Sequence, residues 1–182
     1  MTPSEIFSGK LQESIEWLTK EFTAIRTGQA TPALLDGVKV DSYGSHVPIN
    51  QVGSVGIEDA RTLRISPWDA SQVSALEKAI QEADLGLSVS TDSAGLRVIF
   101  PELTSERRAQ LVKLAKQKLE DARVSVRSAR DEIMKHLDAE EKAGEISKDE
   151  KFSQKDVVQK QVDATNLKLD EMYKRKESEM SI

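Results

Sequence analysis

Four basic side chains recur on one face of a predicted helix in the second half of this chain. Arg123, Arg127 and Arg130 are spaced at i, i+4 and i+7, and Lys116 lies two turns earlier, so all four project along one flank. Guanidinium groups at this spacing can bridge successive phosphates of a nucleic-acid backbone. No aromatic residue lies among them, which favours contacts to backbone and shape over base stacking. We expect the stripe to be free of neutralising carboxylates; a solvated face of a bundle is the alternative interpretation.

Catalytic chemistry has little support in the sequence. The chain of 182 residues has no Cys and two His, which excludes disulfides, thiol nucleophiles and zinc clusters. His46 lies in a Gly/Ser-rich turn and His136 on the polar side of a helix, and neither has an evident nucleophile beside it. The acidic pairs 58–59 and 140–141 could suggest acid–base or divalent-ion sites, but adjacent helical residues diverge by about 100°. We expect no enzyme activity, no metal site and no cofactor.

The charge is distributed unevenly. The chain carries 26 basic and 31 acidic residues, for a net charge of −5. Residues 31–103 hold five basic and ten acidic residues, whereas residues 104–130 hold eight basic and three acidic ones. These two segments are expected to meet different partners. The sequence has neither the basic and apolar regions of a secretory signal nor an apolar run long enough to span a membrane, so we expect a cytoplasmic protein without membrane contact.

Apolar periodicity predicts a first helix over residues 1–30. The apolar residues from Phe7 to Ile25 are spaced three or four apart, as on one face of an amphipathic helix. The capping-box spacing of Thr2 and Glu5 marks its start, and Gly28 is the expected cap at its end.

The helical period returns after residue 104. A helix from about 105 to 143 carries a heptad seam, formed by Val112, Ala115, Leu119, Ala122, Val126, Ala129 and Ile133. Gly144 interrupts it, and a capping box at Ser147 and Glu150 begins the last helix. That helix carries a second stripe, formed by Val158, Val162, Thr165, Leu169 and Met172.

Residues 31–103 have the pattern of a small α/β module. Short alternating or β-branched runs at 38–43, 62–66 and 96–100 predict strands. Asp69 and Gln72 open an amphipathic helix that Gly86 closes.

The three helices predict a bundle. Each is apolar on one stripe only, so the simplest way to bury all three stripes is mutual packing. The predicted fold is therefore α+β: an antiparallel three-helix bundle from residues 1–30 and 104–182, with a β/α/β domain inserted at 31–103. Two short connecting segments are the predicted hinge, formed by Ala30, Thr31, Pro32, Pro101, Glu102, Leu103 and Thr104.

An ordered series of motifs resembles the bacterial-type ribosome recycling factor family along the whole chain. The series comprises the segments IRTGQATPALLD at 25–36, EDARTL at 58–63, KAI at 78–80, DLGL at 84–87, LTSERR at 103–108, ARVSVR at 122–127 with Arg130, and GEISKDE at 144–150. Matching order and spacing over about 180 residues make this resemblance far more specific than any single motif.

The resemblance implies an L-shaped protein that works after termination. With elongation factor G and GTP, such proteins split the ribosome into subunits and release it from mRNA and tRNA. The bundle would lie in the intersubunit space on large-subunit ribosomal RNA. The matching RNA-binding positions are Arg107, Arg108, Arg123, Arg127 and Arg130, with Arg26 at the end of the first helix. Gln29 and Asp131 replace arginines usual in the family, so we expect weaker electrostatic docking than in a typical member.

Two other functions remain open from the residues alone. An enzyme is one, and the isolated His residues and adjacent acidic pairs argue against it. A coiled-coil scaffold or helical chaperone is the other, because heptads fit it equally well. The inserted module distinguishes the chain from a plain scaffold, and an intramolecular bundle predicts a monomer.

Overall fold

Four helices and six strands make up the chain. The structure is a computed structural model and describes residues 1–181. The elements are α1 (Pro3–Thr23), β1 (Lys39–Ser42), β2 (Ser45–Pro48), β3 (Gly53–Asp59), β4 (Thr62–Pro67), α2 (Val73–Glu82), β5 (Ser88–Asp92), β6 (Gly95–Ile99), α3 (Ser105–Ala143) and α4 (Lys148–Met180). Short 3₁₀ turns lie at Pro32–Leu35, Ile49–Gln51 and Ala70–Gln72.

The chain divides into two compact units. The first combines Met1–Phe22 with Lys113–Glu177, and the second contains Thr23–Val112 together with the last residues from Ser178. The boundaries drawn from the sequence, at 30/31 and 103/104, therefore differ from this division by eight to nine residues. The chain after α1 and the first two turns of α3 belong to the second unit, which accounts for the difference.

The first unit is a bundle of α1, α3 and α4. Lys10 of α1 pairs with Glu132 of α3, while Glu21 pairs with Lys118, so these two helices run antiparallel. The tight turn after Ala143 reverses the chain again between α3 and α4. The fold class predicted from the sequence, a helical bundle with a small antiparallel sheet domain, is confirmed.

Alanine and aliphatic side chains fill the seam of α3. Ala115 and Ala122 have no exposed surface, and the stripe continues through Leu119, Val126, Ala129, Ile133 and Leu137. At its start Leu111 is buried and Val112 only partly so, which corrects the predicted seam by one residue. Both capping boxes are confirmed: the Glu5 amide donates to Thr2 Oγ1 at 3.2 Å, and the Glu150 amide donates to Ser147 Oγ at 3.2 Å.

The first helix is shorter than predicted. It ends at Thr23, so the expected length of 30 residues is wrong and Gly28 is not its cap. Ile25 is buried, but it lies beyond the helix. The chain leaves the helix here, and the residues from 26 onward hydrogen-bond within the second unit, as described below.

A four-stranded antiparallel sheet organises the second unit. Its strand order is β3-β4-β6-β5, and β1 and β2 form a separate hairpin. Helix α2 packs on the strands over a shared core whose fully buried members include Leu63, Ile65, Leu76, Leu96 and Phe100. The strands β2, β3 and β5 were not predicted. β3 and β5 are the edges of the sheet and largely exposed, so they need few apolar residues and give little alternation.

Within residues 1–181, no helix combines the length and the apolarity that crossing a membrane requires.

Candidate nucleic-acid interface

The basic stripe lies on one continuous helix. Lys116, Arg123, Arg127 and Arg130 all belong to α3, whose 39 residues contain neither Gly nor Pro. A rise of about 1.5 Å per residue separates the first and last of them by about 21 Å. The Arg127 side chain is 61% exposed and Lys116 is also exposed, whereas Arg123 and Arg130 are 38% and 40% exposed. The helix thus presents all four basic side chains to solvent at fixed spacing.

Carboxylates accompany the stripe, contrary to the expectation from the sequence. Arg123 pairs through Nη2 with Asp170 of α4 and lies 3.8 Å from Glu120. Glu120 also lies 3.6 Å from Nη2 of Arg127. The positive potential of the stripe is therefore reduced, and the expectation of an unneutralised row is wrong. Glu120 precedes both arginines on α3, and Asp170 faces Arg123 from α4, so neither carboxylate follows an arginine by one helical turn.

A hydrogen bond between helices orients the last arginine of the stripe. The Nε of Arg130 donates to Oε1 of Gln159 at 2.9 Å, and its Nη1 lies 3.8 Å from Asp131. A guanidinium has five N–H donors, so one such bond leaves donors available for a phosphate. The partners act as supports that hold the side chain in one direction.

The sequence did not identify these supports. Glu120 could have been found, because it lies three residues before Arg123 on the same helix face. Asp170 and Gln159 could not, because their contact with α3 depends on the register between two helices.

Two further predicted arginines lie in the first turn of α3. The Arg107 amide donates to Thr104 Oγ1 at 3.1 Å, and its exposed side chain donates to Gln110 Oε1 at 3.2 Å. Arg108 is half-buried, and its buried Nε has no hydrogen-bond partner among residues 1–181. Both belong to the second unit, whereas the stripe belongs to the first.

Arg26 is placed differently from the prediction. The residue is 7% exposed, and its guanidinium donates to the backbone carbonyls of Thr27, Gly86 and Pro101. Burial lowers the pKa of Arg26, and the nearby Arg107 lowers it further. These bonds engage all three nitrogens of the guanidinium and give Arg26 a structural role, while its contact with RNA stays a prediction.

The predicted hinge residues lie inside the second unit. The Ala30 amide donates to the carbonyl of Ala60 at 2.8 Å, and the 3₁₀ turn Pro32–Leu35 follows directly. On the other connecting segment, Glu102 forms an ion pair with Arg61. Both segments are thus attached to the turn between β3 and β4.

No group of three His, Asp or Glu side chains in the described residues could hold a metal ion. His136 lies 3.6 Å from Glu140 on the same helix, and His46 lies in the exposed β1–β2 hairpin.

Comparison with known proteins gives a consistent result. The family model for ribosome recycling factor matches residues 18–180. The ribosome-recycling factor of Prosthecochloris aestuarii is 49% identical over 142 residues, which cover 78% of this chain and 76% of that protein. The factor of Rhodospirillum centenum is 45% identical over 174 residues, which cover 96% and 94% of the two chains.

Solved structures agree with the sequence relatives. A solution structure of ribosome recycling factor has a TM-score of 0.80 and 34% identity, covering 100% of this chain and 99% of the other. A second structure, of T. thermophilus ribosome recycling factor and E. coli elongation factor G bound to the E. coli post-termination complex, has a TM-score of 0.68 and 38% identity, covering 99% of each chain. On the extent of these matches, the chain belongs to the ribosome recycling factor family.

Proposed function

We propose that this chain, with elongation factor G and GTP, splits the post-termination ribosome into subunits and releases it from mRNA and tRNA. The observation that carries this conclusion is the family match over residues 18–180. The structural neighbour bound with elongation factor G to a post-termination complex supports the same assignment of partners. The protein acts as a translation factor in the compartment where ribosomes work, the cytoplasm.

The basic stripe is the proposed docking surface for large-subunit ribosomal RNA. Arg127 is its most exposed arginine, and the flanking Arg123 and Arg130 are held in direction by α4. The further contacts are Lys116 on the same flank and Arg107 and Arg108 in the first turn of α3. Arginine is suited to this task because its planar donors match phosphate oxygens. Since three packed helices hold the spacing, docking costs this side little conformational entropy.

The acidic segment, residues 31–103, is the proposed receiver of force. It carries ten acidic and five basic residues, so RNA repels it and a basic protein surface attracts it. Elongation factor G moves this segment about the two connecting segments that contain Ala30–Pro32 and Pro101–Thr104, while the bundle stays docked. The bundle then acts as a wedge in the intersubunit space.

The chain contributes no catalysis in this proposal. GTP hydrolysis on elongation factor G supplies the work, because the sequence has no Gly-rich phosphate loop of its own. The apolar seams of the three helices are buried against one another, which supports a monomer. A monomer predicts a sedimentation coefficient that does not change with concentration.

The decisive experiment measures subunit dissociation. Post-termination ribosomes are mixed with the purified chain, elongation factor G and GTP, and light scattering follows splitting. We expect splitting only when all three are present. Replacement of GTP by GDP is the control for the energy source. Absence of splitting at saturating concentrations of both factors would refute the proposed function.

A second measurement tests the docking surface. Arg127→Gln removes one phosphate contact, so the slope of log affinity for the ribosome against log salt should shrink by about 0.7 to 0.9. Lys78→Gln is the matched control, because Lys78 is also exposed but lies on α2 of the acidic segment, so its replacement should leave the slope unchanged. Equal slopes for Arg127→Gln and the unmodified chain would exclude Arg127 from the interface.

A further inference from the structure

Arg26 is a buried cation that joins three separate segments of backbone. Its Nε donates to the Thr27 carbonyl at 3.3 Å, its Nη1 to the Gly86 carbonyl at 3.0 Å, and its Nη2 to the Pro101 carbonyl. The guanidinium carbon also lies 5.7 Å from the centre of the Phe100 ring. All of these groups belong to the second unit.

The geometry suits arginine in particular. A guanidinium offers five donors in a rigid planar fork, so it reaches carbonyls on several sides at once, whereas a lysine ammonium is a compact point charge. Burial of a cation is costly unless hydrogen bonds compensate for the lost water. Three carbonyls and one aromatic ring provide that compensation for Arg26. Arg26 is therefore a structural residue of the interior. We call Arg26 and its three carbonyl partners the clasp.

The clasp connects the two segments that link the units. Thr27 lies on the first connecting segment and Pro101 on the second, and one guanidinium bonds to both. Two backbone bonds reinforce it at the turn between β3 and β4. There the Ala30 amide donates to the Ala60 carbonyl at 2.8 Å, and the Phe100 amide donates to the Arg61 carbonyl at 2.7 Å.

We propose that Arg26 is a positioning residue that clasps the two connecting segments to the second unit, so that both move with it as one rigid piece. On the first segment the pivot then lies outside the clasp, at residues 23–25, next to the start of the second unit. This inference rests on the proposed function, since it concerns how thrust on the second unit reaches the bundle. A loose clasp would let the connecting segments bend instead of transmitting the thrust.

Hydrogen exchange tests the clasp without ribosomes. In Arg26→Gln, the amides of Ala30 and Phe100 should exchange about tenfold faster or more, because two anchored segments lose their shared donor. The amides of the central pair β4–β6 should exchange at their original rate. Arg26→Lys should give an intermediate acceleration, because one ammonium cannot satisfy three carbonyls. Unchanged exchange at Ala30 and Phe100 in both variants would overturn the clasp.

Splitting kinetics distinguish positioning from RNA binding. For Arg26→Gln we expect the maximal splitting rate to fall several-fold while the concentration for half-maximal rate and the salt slope of ribosome binding stay unchanged. A salt slope smaller by about 0.7 would instead mean that Arg26 contacts phosphate, and would overturn the proposal. An unchanged maximal rate with accelerated exchange would overturn the transmission of thrust.

Lys78→Gln is the matched control. It removes one positive charge from the second unit at an exposed side chain on α2 that pairs with Glu82 of the same helix. We expect its exchange and splitting rate to equal those of the unmodified chain. If Lys78→Gln slows splitting as much as Arg26→Gln, loss of charge from this unit and not the clasp is responsible. Failure of the unmodified chain to split ribosomes would concern the proposed function alone, because the exchange experiment stands without it.

Discussion

The Nε of Arg130 on α3 donates a 2.9 Å hydrogen bond to Oε1 of Gln159 on α4. Gln159 donates in turn through Nε2 to Oδ1 of Asp163 at 2.8 Å, which fixes its amide. The arginine proposed to meet ribosomal RNA is thus held in place by a second helix. Such support stabilises the side chain in its binding direction before the partner arrives.

Gln159→Ala should weaken ribosome binding although Gln159 itself makes no phosphate contact in the proposal. The released Arg130 gains rotamer freedom, which costs about 0.5–1 kcal/mol on binding and lowers affinity about twofold to fivefold. The salt slope should stay the same, because the charge is retained. Filter binding to ribosomes at several salt concentrations measures both quantities. Gln12→Ala removes a comparable exposed amide contact on α1 and is the control; an equal loss of affinity there would contradict this interpretation.

Asp170→Asn should strengthen binding. Asp170 pairs with Arg123 and offsets its charge, so the neutral amide leaves Arg123 more attractive to phosphate. We expect an affinity gain of about threefold at low salt and a steeper salt slope. Asp156→Asn makes the same change on α4 at a carboxylate paired with Lys160, and should have no effect on affinity. Weaker binding by Asp170→Asn would show that the ion pair is needed to position Arg123.

Gly53→Ala should destabilise the second unit selectively. A Cβ at Gly53 would lie 2.5 Å from the carbonyl oxygen of Ser66, which is backbone and has little room to move. We expect the free energy of unfolding of that unit to fall by about 2–3 kcal/mol. Gly56→Ala lies on the same strand with nothing within 4 Å of the added carbon and should change stability little. Denaturant unfolding followed by the exchange of amides in β4 and β6 measures the difference; equal stabilities of the two variants would refute this reasoning.

The α3–α4 corner should lose stability in acid. A hydrogen bond from Lys151 lowers the pKa of Glu141 below its ordinary value of 4.5, and one from Lys155 lowers the pKa of Asp138 below 3.8. Depressed folded-state values mean that this stabilisation is present above about pH 4.5 and is lost as the pH falls through the folded-state values. Thermal unfolding between pH 6 and pH 2 should therefore show a Tm advantage of the unmodified chain over Lys151→Met that shrinks in acid. A constant advantage would mean that Lys151 acts through packing rather than charge.

The long helices could be predicted from the sequence because their signals are local. Both capping boxes and the bounds of α3 follow from residues within one turn of each other, and no Gly or Pro interrupts residues 105–143. The end of α1 could not be predicted in this way. Apolar spacing continues to Ile25, and only contacts with distant carbonyls show why the helix stops at Thr23.

The same difference between local signals and contacts of distant residues explains which features of the site could be predicted. The four basic residues were found because a single helix fixes their spacing. Their supports depend on the register between α3 and α4, in which 123 faces 170, 130 faces 159 and 141 faces 151. The turn after Ala143 sets that register, and no short stretch of sequence contains both members of a facing pair. The buried bonds of Arg26 could not be predicted either, because its family motif specifies residue types but not the direction of the side chain.

Alanine occupies the α3 seam at 115, 122 and 129, one heptad apart, and each of these residues is buried. Because side-chain size at a helix crossing sets the separation of the axes, methyl groups at these levels draw the helices close together. The bundle of α1, α3 and α4 is therefore narrow for its length. Such a bundle fits between surfaces that are too close together for a bundle with leucine at the same positions. Bulkier residues at 115, 122 and 129 would thus hinder binding in a narrow site without changing any charge.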